Sequence, residues 1–325
     1  MAFRCHLSWN SAKGEIVTVN TVQRSQVSTG AKSRRRWRWR EIEGFFFISP
    51  WLVGFLAFTL GPFIASFLLS FADWNLVNPP VWVGLRQYQV MFTDDPRWLK
   101  ALYNTAYFTL FHVPSILGVA MLTALLLNSR VAGVGVFRTI FYLPSVTSGV
   151  AMAIVWAWIF NYRFGLVNQA LALVGIQGPN WLGSTAWAKP AFVLMSLWTF
   201  GSTMVIYLAG LQGVPRELYE AGEIDGAGAW RKFYNITIPM MSPAIFFTIV
   251  MTIIGAFQVF ISAFIMTSGG PVDSTLFYIL YLFRQGFVYL RMGYACAMAW
   301  VLLVVIVALT AVQFRFAPQW VHYER

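Results

Sequence analysis

The segment PRELYEAGEIDGAGAWRKFYNITIPMMSP, residues 215–243, is a polar island between two long apolar runs. Pro215 suits the first turn of a helix, where its missing N–H is not needed, and Gly226 and Gly228 interrupt that helix. Residues 229–237 can start a second helix. The chain has a net charge of +11, yet four of its twelve acidic residues lie in this segment: Glu217, Glu220, Glu223 and Asp225. The pattern predicts a helix-turn-helix suited to contact another protein.

The composition is that of an integral membrane protein. Of 325 residues, 58% are hydrophobic and 11% are charged, and the mean hydropathy is +0.63. A soluble protein carries about a quarter charged residues. Fifteen Trp and thirteen Tyr are suited to anchor the chain at membrane–water boundaries. Cys5 and Cys296 lie too far apart to form a metal or redox motif, so free thiols and no metal site are expected.

The N-terminal segment is strongly basic. Nine of the 23 basic residues precede Glu41, and five of them lie in SRRRWRWR, residues 33–40. A basic stretch with interleaved Trp before an apolar run is typical of the cytoplasmic flank of a first span, which favours lipid over nucleic acid as its partner. Residues 1–33 are polar and aperiodic, without the apolar core of a secretion signal. We therefore predict that residues 1–40 form a disordered cytoplasmic segment.

Six uncharged stretches are long enough to cross a bilayer. Residues 164–188 are excluded because their amides would be stranded in lipid, and Leu276–Phe283 is too short. The predicted fold is an all-α polytopic membrane protein with six transmembrane helices, in which residues 215–243 form a cytoplasmic helix-turn-helix between spans four and five. Pro239 and Pro243 mark the entry to span five. The predicted spans are 45–72, 102–128, 139–161, 190–212, 243–267 and 293–314, within a membrane domain of residues 41–316.

Basic residues predict the orientation of the chain. With the N-terminus inside, nine precede the first span, seven lie in other cytoplasmic parts and seven lie outside. The excess of basic residues on the inner side predicts that both termini are cytoplasmic, including a C-terminal tail of residues 317–325. Without the N-terminal segment, the cytoplasmic and the external parts hold seven basic residues each. The predicted orientation therefore depends on the N-terminal segment.

The spans contain no source of energy for transport. They have no Asp, Glu, Lys or Arg, and His112 is their only ionisable side chain. Ion-coupled carriers keep a carboxylate in the membrane, whereas a single His is more often a packed polar residue. The Gly-Lys pair of a phosphate-binding loop is also absent from the sequence. Energy for pumping must therefore come from another chain, through a cytoplasmic contact.

The segment EAGEIDGAGAWRKFYNITIPMMSP, residues 220–243, resembles the EAA signature loop of permease subunits in binding-protein-dependent ATP-binding-cassette importers. Glu220-Ala221-Gly222 stands for Glu-Ala-Ala, and the change to Gly222 slightly weakens helix propensity. Asp225-Gly226-Ala227 matches the Asp-Gly-Ala that follows. The apolar and proline end of the motif is matched by Phe233, Ile236, Ile238 and Pro239.

The resemblance extends over residues 40–316. Several segments look typical of the sugar-importing subgroup, including FFFISPWLVGFLAFTLGPFIASFLLSF at 45–71, PNWLG at 179–183 and SGGPVDSTLFYILYLF at 268–283. The resemblance implies a subunit of the cell membrane (plasma or inner) that forms half of a pathway for a carbohydrate and has no catalytic residues.

The resemblance also implies partners. These are a second permease subunit, an extracytoplasmic solute-binding protein, and a cytoplasmic ATPase dimer that carries ATP and magnesium, so that this chain needs no cofactor. Glu220 would pair with a basic residue of the ATPase, Gly226 would form the sharp turn, and small residues would allow close approach. The residues expected to couple to the ATPase are Glu220, Ala221, Gly222, Asp225, Gly226, Ala227, Trp230, Phe233 and Pro239.

Uncharged polar and aromatic side chains in the spans suit a sugar, whose CH face stacks on rings while its hydroxyls form hydrogen bonds. Trp near span ends is usually an interface anchor, and Ser often mediates helix packing. Gln258 is the strongest candidate because a mid-span amide must find a partner, and Ser262 is expected one helical turn away. The candidate pathway residues are Gln258, Ser262, Trp198, Ser202, Trp156 and Asn161.

Three alternatives remain open from the residues. Seven external basic residues favour an anion such as glycerol phosphate, or another polar solute, although external acids partly offset them. DGAGAWR at 225–231 resembles the start of the phosphatidyltransferase pattern D-G-x-x-A-R, but Trp230 occupies the place of its Arg, which disfavours a membrane enzyme. A channel or uniporter would leave the cytoplasmic helix pair without a role.

Overall fold

The computed structural model describes residues 7–10, 15–18, 47–129 and 133–322. The chain divides into two compact units, Met1–Pro62 and Phe63–Arg325. In the first unit, strands β1 (Leu7–Asn10) and β2 (Glu15–Thr18) pair antiparallel. These eight residues differ from the disorder predicted for 1–33, and the β-branched run in EIVT favours the extended conformation. The basic stretch 33–40 lies outside the described residues.

The regular secondary structure in the rest of the described chain is almost entirely helical. A short antiparallel pair, β3 (Ala72–Asp73) with β4 (Val81–Trp82), follows the first helix. The helices are α1 (Phe47–Leu69), α2 (Arg86–Thr93), α3 (Pro96–Asn128), α4 (Val134–Val146), α5 (Gly149–Ile159), α6 (Leu166–Leu173), α7 (Ala188–Leu197), α8 (Gly201–Gly213), α9 (Arg216–Ile224), α10 (Ala229–Lys232), α11 (Ile238–Phe257), α12 (Ile261–Met266), α13 (Tyr278–Phe283) and α14 (Met292–Phe316).

Four helical stretches are long and apolar enough to cross a membrane: Phe47–Leu69, Pro96–Asn128, Ala229–Met266 and Met292–Gln319. Two bent pairs, α4 with α5 and α7 with α8, meet the same test when each pair is taken together. The described residues thus hold up to six spans. The prediction of an all-α polytopic membrane protein is confirmed.

Spans three and four are bent, whereas the sequence predicted uninterrupted runs. Helices α4 and α5 meet at 99°, and α7 and α8 at 47°. Pro144 removes a helical hydrogen bond near the end of α4, and Thr147 and Ser148 then adopt extended backbone angles. In the fourth span, a Cβ on Gly201 would overlap the carbonyl oxygen of Phe141, so glycine permits the close approach of α8 to α4.

The helix of span five begins at Ala229, well before the predicted entry at Pro243. Helix α10 continues through a π-helical turn, Phe233–Thr237, directly into α11. Pro239 lies in the first turn of α11 and lacks the amide hydrogen that a regular α-helix would use there, and the π-turn immediately precedes it. The prolines therefore lie inside a continuing helix, and residues 229–237 continue directly into the span.

Helix α3 is the central element of the second unit. Its 33 residues extend about 50 Å, and it starts six residues earlier than predicted because Asp95 caps it. Asp95 Oδ1 accepts hydrogen bonds from the backbone N–H groups of Arg97 (3.0 Å) and Trp98 (3.2 Å), and Pro96 fits the first turn. The buried face of α3 packs on helices α7, α8, α11 and α13.

The short helix α13 and the loop before it are tied to α3 by polar contacts. Asn104 Nδ2 donates to the carbonyl oxygens of Asp273 (2.9 Å) and Leu276 (3.1 Å), and the backbone N–H of Tyr278 donates to Thr105 Oγ1 (2.9 Å). These bonds satisfy two loop carbonyl groups and the first N–H of α13, which have no partner within a helix. The sequence correctly excluded Leu276–Phe283 as a span, but gave no sign of where it would pack.

Asp95 also joins three elements at one carboxylate. Its Oδ2 accepts the hydroxyl hydrogens of Tyr281 (2.7 Å) on α13 and Tyr294 (2.6 Å) on α14. We expect Asp95→Ala to lower the melting temperature of the purified chain in detergent by several degrees, because it removes the cap of α3 and leaves the hydroxyl hydrogens of both tyrosines without an acceptor, at about 1–3 kcal/mol each. Asp94→Ala is the control, since Asp94 is exposed and its carboxylate has no partner within residues 47–129 and 133–322. Equal melting temperatures for the two variants would contradict this role.

Candidate functional site

The turn between α9 and α10 is closed by backbone hydrogen bonds. The N–H of Ala227 donates to the carbonyl oxygen of Gly222 (2.8 Å), and the N–H of Gly226 donates to that of Glu223 (3.0 Å). This pair of bonds is the Schellman arrangement at the end of a helix. Gly226 has φ +70°, in the left-handed region that side chains with a Cβ rarely adopt. The structure thus gives a physical reason for glycine at this position.

The two helices of the loop pack closely against each other. A Cβ on Gly222 would lie 3.2 Å from Ile236 Cδ1, so this face leaves little room for a larger side chain. Lys232 Nζ donates to Glu223 Oε1 at 2.8 Å across the pair, and this ion pair lowers the pKa of Glu223. The hydroxyls of Tyr219 and Thr237 form a hydrogen bond of 3.0 Å. The loop is therefore a compact unit and not a flexible connection.

The outer surface of the loop combines a charge with apolar side chains. Glu220 is exposed and has no hydrogen bond or ion pair within the described residues, in contrast to Glu223. Ile224 is 87% exposed at the end of α9, and Trp230 is 74% exposed at the start of α10. Such a combination is typical of a surface that binds another protein. The sequence reading missed Ile224, because its exposure depends on where α9 ends.

The other predicted coupling residues occupy different parts of the same unit. Asp225 is the C-cap of α9, and Ala221 and Ala227 line the groove between the helices. Phe233 is partly buried, with its ring 6.2 Å from that of Trp230. Pro239 lies farther along, inside α11.

A cavity of about 540 Å³ lies within the second unit. Its walls come from helices α3, α5, α7 and α11 and from the break between α11 and α12. Gln258 and Ser262 line it. The two are not one helical turn apart as predicted, because the helix is interrupted at Gln258–Phe260. Interrupted helices in transporters often surround a substrate, since their freed backbone groups can face a cavity.

The other four candidate pathway residues do not line this cavity. The rings of Trp156 and Trp198 contact each other edge to face at 6.0 Å, and Ser202 is exposed on α8. Asn161 Oδ1 accepts from the backbone N–H groups of Arg163 (3.0 Å) and Phe164 (3.3 Å), which closes the turn after α5. Trp198 lies in the bend between α7 and α8, and Ser202 follows it in the first turn of α8.

The cavity includes polar side chains that the sequence reading did not select. His112 on α3 and Ser196 on α7 line it, and His112 Nδ1 lies 2.7 Å from Ser196 Oγ. Thr199, in the bend of span four, also contributes. The contact joins residues 84 positions apart, so no local pattern could reveal it. The residues that line the cavity include no Asp, Glu, Lys or Arg, and no cluster suited to a metal ion occurs in the described part of the chain.

One continuous helical path joins the loop to the cavity. Helix α10, the π-turn and α11 run without interruption from Ala229 to Phe257, about 43 Å at 1.5 Å per residue. Trp230 lies at one end of this path, and Thr252, Gly255 and Gln258 line the cavity at the other. The loop and one wall of the cavity thus belong to the same continuous helix.

Comparison with known proteins agrees with this architecture. The chain is similar to the "Probable ABC transporter permease protein YesP" of Bacillus subtilis, with 43% identity over 90% of this chain and 96% of that protein. It is 33% identical to the lactose transport system permease protein LacF of Rhizobium radiobacter, over 87% of this chain and 96% of that protein. It is 32% identical to the arabinooligosaccharides transport system permease protein AraP of Bacillus subtilis, over 84% of this chain and 88% of that protein.

The fold is also similar to that of a solved structure. A chain of a bacterial ABC transporter involved in the import of the acidic polysaccharide alginate superposes with a TM-score of 0.75 at 22% identity, covering 87% of this chain and 99% of that one. The family model for the inner membrane component of binding-protein-dependent transport systems matches residues 95–322. This protein, a transport permease and not an enzyme, therefore belongs to the family of binding-protein-dependent transport system inner membrane components.

Proposed function

We propose that this chain forms half of the translocation pathway of an ATP-driven carbohydrate importer, and that residues 215–243 couple it to a separate ATPase. The continuous helix from Ala229 to Phe257 is the observation that carries this proposal. It links an exposed protein-binding surface to the wall of a cavity. Transporters alternate between open states by rigid movements of this kind.

The lining of the cavity supports a neutral polar substrate. Amide, imidazole and hydroxyl groups line it together with apolar side chains, and no Lys or Arg is among the lining residues. A phosphate or carboxylate would need such a cation or several donors. This favours a carbohydrate over glycerol phosphate. The relatives named for lactose and for arabinooligosaccharides point in the same direction.

The partners follow from the coupling role. A cytoplasmic ATPase dimer would bind ATP and magnesium and receive Glu220, Ile224 and Trp230, while this chain binds no cofactor. A second permease subunit would complete the pathway, and an extracytoplasmic solute-binding protein would deliver the sugar. The alginate transporter has been crystallised in complex with a pentasaccharide-bound periplasmic protein. In this arrangement the protein lies in the cell membrane with both termini in the cytoplasm.

Reconstitution into lipid vesicles tests this proposal. We expect ATP-dependent accumulation of a neutral oligosaccharide only when this chain is combined with the second permease, the ATPase and the solute-binding protein. Vesicles that contain this chain alone serve as the control. Uphill accumulation by this chain alone would overturn the proposal.

A further inference from the structure

His112 occupies an unusual place in the cavity wall. It is 9% exposed, lies on the central helix α3 and is the only ionisable side chain that lines the cavity. Its ring is stacked on Phe108, with centroids 4.9 Å apart and planes 9° apart. The stacking fixes the plane of the imidazole, and the contact of Nδ1 with Ser196 Oγ fixes its rotation.

The hydrogen bonds of Ser196 determine which ring nitrogen carries the proton. Ser196 Oγ donates its only hydrogen to the carbonyl oxygen of Val193 at 2.6 Å, since a carbonyl oxygen can only accept. With that hydrogen on Val193, the hydroxyl oxygen accepts from His112 Nδ1 at 2.7 Å, and this is the tautomer in which both contacts of Ser196 Oγ are hydrogen bonds. A doubly protonated ring is disfavoured because no carboxylate lines the cavity. His112 is therefore neutral, with a lone pair on Nε2.

The Nε2 atom has no hydrogen-bond partner within residues 47–129 and 133–322. Thr199 also has its hydroxyl hydrogen engaged, because Oγ1 donates to the carbonyl oxygen of Ser196 at 2.9 Å. Both side chains thus offer lone pairs, and not hydrogens, to a molecule in the cavity. This part of the wall complements hydroxyl donors, while donors are left to other lining residues such as Gln258 and Ser262.

We propose that His112 is a specificity-determining residue, whose Nε2 accepts a hydrogen bond from a hydroxyl of the transported sugar. The proposal rests on the carbohydrate function proposed above. In it, Ser196 is a positioning residue that holds the imidazole in the accepting tautomer, and Phe108 holds its plane. The cavity wall then selects neutral, hydroxyl-bearing substrates.

Two substitutions of His112 separate substrate contact from packing. In His112→Asn the amide reaches the position of Nδ1 and can keep the bond to Ser196, but nothing replaces Nε2. In His112→Gln the longer side chain can place an amide oxygen near Nε2 and lose the bond to Ser196. A substrate contact thus predicts that Gln is the better replacement, whereas a purely structural contact with Ser196 predicts that Asn is.

The test uses the complete importer in lipid vesicles, with uptake of arabinobiose, lactose and maltose measured as a panel. For the sugar transported best, we expect His112→Asn to raise the apparent KM about tenfold, and His112→Gln to stay within about threefold of the parent. Copurification with the ATPase and the melting temperature show that each variant is folded and assembled. Should either variant fail this check, Ser196→Ala is measured instead, and a raised apparent KM is again expected.

The outcomes distinguish this proposal from the one on which it rests. If the parent complex transports a sugar and the Asn variant matches it while Gln does not, the role of His112 in recognition is wrong and the carbohydrate function stands. An unchanged apparent KM in both variants would likewise show that His112 does not contribute to recognition, while the carbohydrate function stands. If the parent complex transports none of the three sugars but accumulates glycerol phosphate, the carbohydrate function itself fails, and the role of His112 fails with it.

Discussion

Glu220→Lys is expected to abolish ATP-driven uptake and substrate-stimulated ATP hydrolysis by the assembled importer, while the chain still inserts in the membrane. Glu220, like Glu217, is an acidic side chain of α9 that is exposed and has no partner in the described residues, so its charge is available to a basic residue of the proposed ATPase. Reversing one charge of an interface pair replaces attraction by repulsion. Removing one partner of such a pair costs about 2–5 kcal/mol, so reversal should cost at least as much.

The matched control lies on the same helix. Glu220→Gln and Glu223→Gln each remove one negative charge, but only Glu223 is already paired, with Lys232 at 2.8 Å. Because an exposed pair of this kind contributes little, we expect Glu223→Gln to retain uptake and Glu220→Gln to lose most of it. Normal ATP hydrolysis stimulated by substrate in the Glu220→Lys complex would contradict the docking role.

The loop shows how far local sequence patterns can be read. The start of the first helix at Pro215, the interruption at Gly226 and the second helix all follow from the chemistry of neighbouring residues, and they appear in the structure where they were expected. The continuation of the second helix into span five was not predicted, because prolines usually mark a boundary. The π-turn before Pro239 permits the helix to continue. A prediction based on the spacing of a regular α-helix does not anticipate such a turn.

The cavity depends on tertiary structure, and the sequence predicted less of it. Gln258 was selected because a mid-span amide needs a partner, and it lines the cavity at a break in the helix. His112 was visible as the only ionisable residue of the spans, but its relation to Ser196 arises from the packing of α3 on α7. Trp198 and Ser202 were predicted as pathway residues together with Gln258, but neither lines the cavity. Span four is bent by 47° between α7 and α8, and this bend was not predicted.

Gly226→Pro is expected to have an effect of similar size through the shape of the loop. Gly226 has φ +70°, whereas proline holds φ near −65°, and the substitution also removes the N–H that donates to the carbonyl oxygen of Glu223. The Schellman turn cannot form, so α9 and α10 lose the geometry that presents Glu220, Ile224 and Trp230 together. We expect uptake to fall at least tenfold, since about 1.4 kcal/mol of lost coupling free energy suffices for that.

Gly228 provides the control for Gly226→Pro because it lies in the same turn with a different backbone. Its φ is −67°, and a Cβ added to it would meet no atom within 4 Å. Gly228→Ala should therefore retain uptake, while Gly226→Ala, strained by about 1–2 kcal/mol, should fall between Gly228→Ala and Gly226→Pro. ATP-driven uptake in vesicles measures this order, with copurification of the ATPase as a readout of docking. If Gly226→Pro and Gly228→Ala transport equally well, the shape of the turn does not determine coupling.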